Sequence, residues 1–272
     1  MNQKISVIMS VYNSEATLRE SIDSILAQTY PDWEFIICND ASTDGTQAIL
    51  EEYAEKDPER FILLKNEENK RLAFSLNRCL EKATGFYVAR MDGDDISLPE
   101  RFEKQVLFLR THPEYQLVGT AMQRFDETGL AGIECPPEIP TRNYLKKTCP
   151  FNHATIMTYK SVFDRLQGYT VAPRTERGQD YDLWFRFYYE GYEGYNMLQP
   201  LYLVREDRNA ISRRSFKVRW STYQTTRYGF KLLGFPKSLI VKAFLVTLVK
   251  SLTPGFVQSW YRRYEQKRDD RG

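Results

Sequence analysis

The stretch Val88-Ala-Arg-Met-Asp-Gly-Asp-Asp95 constrains this chain more than any other. A short apolar run ends in three carboxylates, Asp92, Asp94 and Asp95. Like charges this close repel and raise one another's pKa unless a cation or a positive dipole sits among them. Hard divalent cations are held by oxygen ligands, often one or two carboxylates together with substrate phosphates. The stretch therefore reads as a strand that delivers a metal–diphosphate site at its carboxyl end, where open α/β sheets bind ligands. The competing reading is an acidic N-cap for a helix starting near Leu98, with Pro99 in its first turn.

The chain around this stretch alternates between two periods. Lys4 to Ser10, Trp33 to Cys38, Phe61 to Leu64 and Phe86 to Met91 are short apolar, β-branched or aromatic runs, read as strands. Between them, helices fit Glu15 to Ala27 (Leu18, Ile22, Ile25 and Leu26 on one face, Ser14 as cap), Gln47 to Tyr53, and Arg71 to Ala83 (Leu72, Leu76, Cys79 and Leu80 recurring). Connections this short suit only βαβ crossovers, so the expected fold is α/β, with a doubly wound, mostly parallel sheet flanked by helices. Two strand ends then carry an acid after an apolar run, Asp40 and the Asp92 cluster, and both can face one crevice. One acid suits a nucleoside edge or ribose; the other suits a metal on a diphosphate. There is no Gly-x-Gly-x-x-Gly and no Gly-x-x-x-x-Gly-Lys-Ser/Thr, so neither a dinucleotide fold nor a P-loop is supported.

Composition sets the outer bounds. A chain of 272 residues, 42% hydrophobic and 27% charged, suits one large α/β domain with an appendage. Cys38, Cys79, Cys135 and Cys149 show no metal-type spacing, and no signal peptide is visible, so a reducing cytoplasm is expected. No run of about 18 uncharged apolar residues predicts a spanning helix. The net charge of +2 conceals an asymmetry. Residues 208–264 hold twelve Lys and Arg and no Asp or Glu, and the last eight residues balance at three acids against three bases, which leaves residues 1–207 at −10.

Four segments, in order, carry a resemblance: Ser10-Val11-Tyr12-Asn13; Asn39-Asp40-Ala41-Ser42-Thr43-Asp44-Gly45-Thr46; Asn69 to Asn77; and Asp92-Gly93-Asp94-Asp95. Together they resemble the family 2 glycosyltransferases of the GT-A fold, inverting enzymes that use a nucleotide-sugar. The family usually has Pro where Ser10 stands, and often a second Asp where Asn39 stands. The resemblance implies that Tyr12 lies against the base, that Asp40 accepts a hydrogen bond from it, and that Arg71 approaches the diphosphate. Asp92, Asp94 and Asp95 would form the DXD-type site, with Asp92 and Asp94 towards the donor and Asp94 and Asp95 towards Mg²⁺ or Mn²⁺; the ligand among the three stays unassigned. A uridine donor is the first expectation.

The acceptor side is carried by Gly178-Gln179-Asp180-Tyr181-Asp182-Leu183-Trp184. Asp180 opens a helix whose inward face includes Leu183, Trp184 and Phe187, so it is an N-cap by one reading. In the family the like-placed stretch is Glu-Asp-x-Asp-Leu-Trp, and its first Asp is the general base. An acceptor hydroxyl has a pKa far above neutrality, so a positioned carboxylate that takes its proton assists attack. Gln179 stands where the family has Glu, and Asp182 either supports the helix start or contacts acceptor. His153, one of two histidines, opens a β-type run (Ala154 to Tyr159) and reads either as a satisfied structural residue or as lining the site. Leu98 to Arg110 is amphipathic, Tyr115 to Gly119 is a further strand, and Tyr202-Leu203-Val204-Arg205 resembles the family's next strand without its usual His. Arg205 reads as a phosphate contact or a surface ion pair, and residues 209–214 as a flap over donor.

Three organisational readings follow: residues 1–207 as the catalytic domain, 1–95 its nucleotide-sugar half and 96–207 its acceptor half, and 208–272 as a basic helical region. Lys237 to Leu252 is apolar apart from Lys242 and Lys250, and Phe256, Val257, Trp260 and Tyr261 stand beside Arg262 and Arg263. Apolar residues mixed with bases and no acids suit a helix in a membrane interface, or else one packed on the catalytic body. No nucleic-acid motif accompanies the charge. The expected partners are a nucleotide-sugar, a glycan or lipid-linked acceptor and the inner face of the cytoplasmic membrane, with self-association left open. The function expected is inverting, metal-dependent sugar transfer in bacterial exopolysaccharide or envelope assembly. A nucleotidyltransferase and a binding protein on a transferase scaffold are the alternatives.

Overall fold

The apolar runs become strands and the periodic runs between them become helices. The computed structural model describes residues 3–206 and 216–252. In it β1 (Ile5–Val11), β2 (Trp33–Asn39), β3 (Phe61–Lys65) and β4 (Tyr87–Arg90) alternate with α1 (Leu18–Leu26), α2 (Thr46–Lys56) and α3 (Leu72–Lys82). These four strands pair in parallel. Strand side chains alternate between two layers. Ile5, Val7, Met9, Phe35 and Ile37 pack with Leu18, Ile22 and Ile25 of α1; Ile8, Ile36 and Cys38 pack with Leu76, Cys79 and Leu80 of α3. Leu26, expected to face inward, is 38% exposed. It falls at the edge of the stripe that Leu18, Ile22 and Ile25 define.

The second half is β5 (Ile96–Ser97), α4 (Arg101–Thr111), β6 (Leu117–Asp126), β7 (Gly129–Glu134), β8 (Met157–Tyr159), α5 (Lys160–Leu166), α6 (Gln179–Tyr189) and β9 (Gly194–Arg205). The sheet runs β3-β2-β1-β4-β8-β6-β9-β5, with β7 on β6 outside that path. β8 lies antiparallel between β4 and β6 and joins the two halves. β9 runs parallel to β6 and antiparallel to β5. The expected α/β architecture of a sheet covered by helices is therefore present, its parallel part confined largely to the first four strands.

Two expectations change. The helix foreseen near Leu98 begins at Arg101, because Ile96 and Ser97 first pair with Leu203 and Tyr202. The Leu98 amide then bonds Leu201 O at 3.0 Å, and Pro99 O takes the Thr29 amide at 2.9 Å. β6 continues seven residues past Gly119 and turns into β7. Every residue of β7 is exposed, so no apolar alternation marks it in the sequence.

The C-terminal region begins its described part with α7 (Phe216–Leu232) and α8 (Lys237–Leu252). α7 is docked on the body. Gly229 lies so close to Phe185 of α6 that a Cβ there would meet its ring at 2.0 Å. Ser221 Oγ donates to Arg174 O at 2.8 Å, and Thr225 Oγ1 donates to the same carbonyl. Phe244 of α8 packs between Trp220 and Tyr223 of α7, with centroids 6.4 and 5.5 Å apart. The boundary placed at residue 207, the flap placed at 209–214 and the aromatic, basic stretch at 256–263 lie outside the described residues.

At the sheet edge where β1 and β4 begin, a buried carboxylate ties the strands. Glu34 accepts from Ser6 Oγ at 2.6 Å and the Thr84 amide at 2.7 Å, and pairs with Lys4 Nζ at 2.6 Å. Burial pushes its carboxyl up, but Lys4, Ser6 and Thr84 outweigh that and hold it below the usual range. A depressed folded pKa gives stability that is present above the unfolded value, about 4.3, and lost as pH falls through the folded one. Glu34→Gln is expected to lower the unfolding free energy by about 1–2 kcal/mol at pH 7. The difference from wild type should close at acid pH; urea denaturation at pH 7 and pH 3 measures both.

Candidate active site

The carboxyl ends of β1, β2 and β4 share one edge of the sheet, and each carries a motif from the sequence. The turns after β1 and β2 brace each other. Asn13 Oδ1 accepts the Thr43 amide at 2.8 Å, the Ser14 amide bonds Thr46 Oγ1 at 2.8 Å, and the Glu15 amide bonds Asp44 Oδ2 at 3.1 Å. Most of the Asn39-to-Thr46 motif is therefore structural. Tyr12, just past the end of β1, is 50% exposed.

Asp40 is only 3% exposed. Its Oδ1 accepts from Asn66 Nδ2 at 2.6 Å and the Lys70 amide at 2.8 Å, and its Oδ2 from the Arg71 amide at 2.9 Å. Arg71 has φ 74° with ψ 162°, an extended positive-φ conformation nearly confined to glycine, which costs an L-residue roughly 1–3 kcal/mol. The charge-assisted bond to Asp40 offsets that cost. The Arg71 side chain points towards Glu176, 3.8 Å away. Asp40 thus shapes the loop that carries Arg71.

The acidic turn is drawn against β1 and β9. Gly93 is required because a Cβ there would meet Val11 Cγ1 at 2.7 Å. Arg90, buried at the end of β4, grips Asp92 with two bonds, Nη2–Oδ1 at 2.6 Å and Nη1–Oδ2 at 3.2 Å. Burial opposes the Arg90 charge, but Asp92, Tyr169, Tyr202 and Asp180 surround it and raise its pKa. Arg90 is a site residue that the sequence reading missed; a lone arginine inside the apolar run Val88 to Met91 was its signal. Asp94 opens to solvent, yet the protein around it and then Asp92 push its pKa up. Asp95 faces inward, 3% exposed. Burial, then Asp92 and Asp94, push it up to about 8, against the Arg205 amide that bonds its Oδ1 at 2.8 Å.

Beneath the turn lies a second buried cation. Arg101 donates through Nη2 to the carbonyls of Arg90, Ala154 and Ile156 at 2.9, 3.3 and 3.3 Å, and sits 5.0 Å from the Tyr202 ring. Burial lowers it to about 10. Among the described residues no three His, Cys, Asp or Glu converge as a complete metal cage. The donor set instead fits a hard ion that takes one or two carboxylates and completes its shell from diphosphate and water.

Of the two readings of Arg205, the ion pair is present: its guanidinium pairs with Glu20, donates to Asp94 O at 2.9 Å and lies over Phe125. His153 is buried: its Nε2 lies 2.9 Å from Tyr169 Oη, and its ring meets Trp184 edge-on at 5.7 Å. Burial, then Arg90, depress its pKa, so it stays neutral.

α6 begins after Gly178, and Gln179 Oε1 accepts the Gly178 amide at 3.2 Å. Asp180 is half-buried; its Oδ1 takes the Tyr181 amide at 2.8 Å and its Oδ2 a weak bond from Cys149 Sγ at 3.7 Å. Asp92 and Asp180, 88 residues apart in the chain, therefore both lie within the field of Arg90. Asp182 is not in the crevice. Fully buried, it binds Thr170 Oγ1 at 2.6 Å, Arg186 Nε at 2.9 Å, and Arg174. Its carboxylate is taken up by these three partners and reaches no solvent.

Comparison with known proteins gives a consistent result. The family model for Glycosyl transferase family 2 matches residues 6–166. The chain is 47% identical to the Bacillus subtilis (strain 168) protein named as glycosyltransferase EpsE, over 97% of this chain and 94% of that protein. It is 33% identical to the protein of the same organism named as teichuronic acid biosynthesis glycosyltransferase TuaG, over 80% of this chain and 85% of that one. In fold it resembles the mannosyltransferase PcManGT from Pyrobaculum calidifontis, solved with GDP-Man and Mn²⁺. That match has a TM-score of 0.60 at 22% identity, covering 91% of this chain and 70% of the other.

Removing one member of a buried ion pair strands the other charge, at about 3–5 kcal/mol. Asp182→Ala is expected to destabilise the protein by about that amount, read from urea denaturation. A change below about 1 kcal/mol would mean that Arg174 and Arg186 do not depend on it.

Proposed function

The chain belongs to glycosyl transferase family 2, an enzyme of bacterial polysaccharide biosynthesis with the GT-A fold, and from that premise we propose that it inverts the sugar it transfers. The donor is a nucleotide-sugar, with a uridine diphosphate the first to test. Its base rests on Tyr12 beside the Asp40-braced loop. Arg71 reaches towards the diphosphate, and Asp94, with Asp92, holds Mg²⁺ or Mn²⁺. Asp95 is placed behind them, in support. When bound, the ion supplies Lewis-acid neutralisation of the charge that grows on the departing diphosphate.

Asp180 takes the proton of the acceptor hydroxyl while that oxygen attacks the anomeric carbon from the face opposite the diphosphate. The bond from the anomeric carbon to the diphosphate oxygen breaks as the new glycosidic bond forms, so configuration inverts. Arg90 holds Asp92 aimed at the donor side. The single observation that supports this reading is that Arg90, which grips Asp92, also feels the charge of Asp180. The helix-borne Asp180 has no part in a nucleotidyltransferase.

The acceptor is proposed to be a lipid-linked glycan met at the inner face of the cytoplasmic membrane. Val241, Leu245, Val246 and Val249 of α8 are exposed, beside Lys242. No helix among the described residues is long and apolar enough to cross a membrane. An apolar stripe flanked by bases suits an interface instead, where each basic residue near an anionic surface contributes on the order of 1 kcal/mol.

Asp180→Asn is expected to lower kcat by about 10²–10⁴-fold with the donor Kd unchanged, whereas Asp94→Asn should weaken Mn²⁺-dependent donor binding. A fully active Asp180→Asn enzyme rejects the base. The double substitution Leu245→Glu, Val246→Glu should abolish co-sedimentation with phosphatidylglycerol vesicles and leave transfer to a water-soluble acceptor intact. Undiminished sedimentation would remove α8 from the membrane contact.

A further inference from the structure

Beside the proposed crevice, three cations from three separate segments surround one carboxylate. Lys217, in the first turn of α7, pairs with Glu176 Oε2 at 2.9 Å. Arg71, from the donor loop, approaches Glu176 Oε1 at 3.8 Å. Arg177 completes the group and has no ion-pair partner among the described residues. With Val218 and Ser221 these residues line a cavity of about 60 Å³.

A structural ion pair needs one cation for one acid. Among the described residues, three around a single half-buried carboxylate leave an excess of two positive charges facing the same space, an arrangement that favours entry of an anion. Glu176 is held below the usual carboxylate range, first by Lys217 and then also by Arg71 and Arg177, so it stays ionised as the internal counter-ion. The Arg71 and Lys217 side chains remain 68% and 79% exposed, open to a ligand from solvent. Their position is specific. Arg71 is fixed through its amide to Asp40, and Glu176 and Arg177 lie four and three residues before Asp180. The cavity therefore adjoins both the donor loop and the approach to the base.

We propose that Arg177 and Lys217, with Arg71 at their edge, form a second diphosphate subsite that takes the phosphates of the acceptor. A diphosphate presents several anionic oxygens to be bound by a cluster of Arg and Lys. The donor's own diphosphate would have its counter-charge in the ion at Asp94 and in Arg71, and leaves Arg177 and Lys217 over. The inference rests on the lipid-linked acceptor and on Asp180 as its base. It adds that the acceptor is read through the phosphates next to its sugar, at the point where α7 meets the body.

The test uses the full chain, Mg²⁺ and calorimetry with geranyl diphosphate as probe and geraniol as its uncharged counterpart. Geranyl diphosphate should bind in the presence of saturating UDP, and geraniol should not. The double substitution Arg177→Ala, Lys217→Ala should weaken the probe about tenfold, as expected for two partly exposed ion pairs, with the UDP Kd unchanged. Glu176→Gln, which removes the internal counter-ion, should tighten it. Equal binding by the double variant, or weaker binding by Glu176→Gln, overturns the subsite. Displacement of the probe by UDP overturns it too, since the cluster would then serve the donor. Binding of UDP itself is read in the same cell, so a failed donor site, which would sink the proposed reaction, is told apart from a failed acceptor subsite.

Discussion

The excess of negative charge at the end of β4 is the constraint that the surrounding structure answers. Asp92, Asp94 and Asp95 crowd one turn, and Asp95 is buried in it. Left alone, such a cluster would protonate or unfold. The protein meets each acid differently. Asp92 is gripped by Arg90, Asp95 receives the Arg205 amide, and Asp94 is left to solvent. Two of the three are thus partly compensated from within, and the third is the one able to meet a cation from outside. The antiparallel pairing of β5 with β9 is what delivers Arg205 to this place, since Ile96 and Leu203 are in register. A two-residue strand that looks incidental therefore closes the site.

Asp40 solves the opposite problem with the same chemistry. Here one buried carboxylate organises donors, taking two backbone amides from residues 70 and 71 and the side chain of Asn66. The positive-φ Arg71 would be strained in isolation, and the carboxylate holds it there. An acid at a strand end can thus act before any ligand arrives, by setting the shape of a neighbouring loop. The same residue type at the ends of two strands that flank β1 is buried in a loop at one and open to solvent, as Asp94, at the other, and spacing alone does not separate them.

What the sequence made legible follows from where the physics is local. Strand and helix periods report burial, and the first four strands and α1 to α3 were readable from them because both faces of that sheet are covered. β7 was not, because it is exposed throughout. Motif order placed Asp40, Asp92 and Asp94 at one edge and Asp180 on a helix. What it missed are groups whose role depends on distant partners. Arg90 looked like an interruption in an apolar run, Arg101 like an ordinary helix residue, and Asp182 like a second acid of the catalytic stretch. Each is a buried charge whose partners lie on other elements or beyond a turn, such as the Ile156 carbonyl for Arg101 or Thr170 for Asp182. No window of sequence contains that information.

Asp182 also ties the C-terminal helices to α6. It lies two residues past Asp180 on α6 and holds Arg174. The Arg174 carbonyl in turn accepts hydroxyls from Ser221 and Thr225 of α7, and its guanidinium lies 4.0 Å over the Tyr228 ring. One arginine therefore ties the first turn of α6 to the middle of α7, and Gly229 lets α7 approach Phe185 closely enough for that tie to form. α8 rests on α7 through Phe244. A force on α8, such as partition of its exposed valines and leucine into an interface, reaches the start of α6 through two packed contacts and one buried ion pair. Because interiors are close-packed, such a chain transmits displacement rather than absorbing it. α8, α7 and the helix that carries Asp180 are thus packed into one unit, and the position of Asp180 is set in part from outside the GT-A sheet.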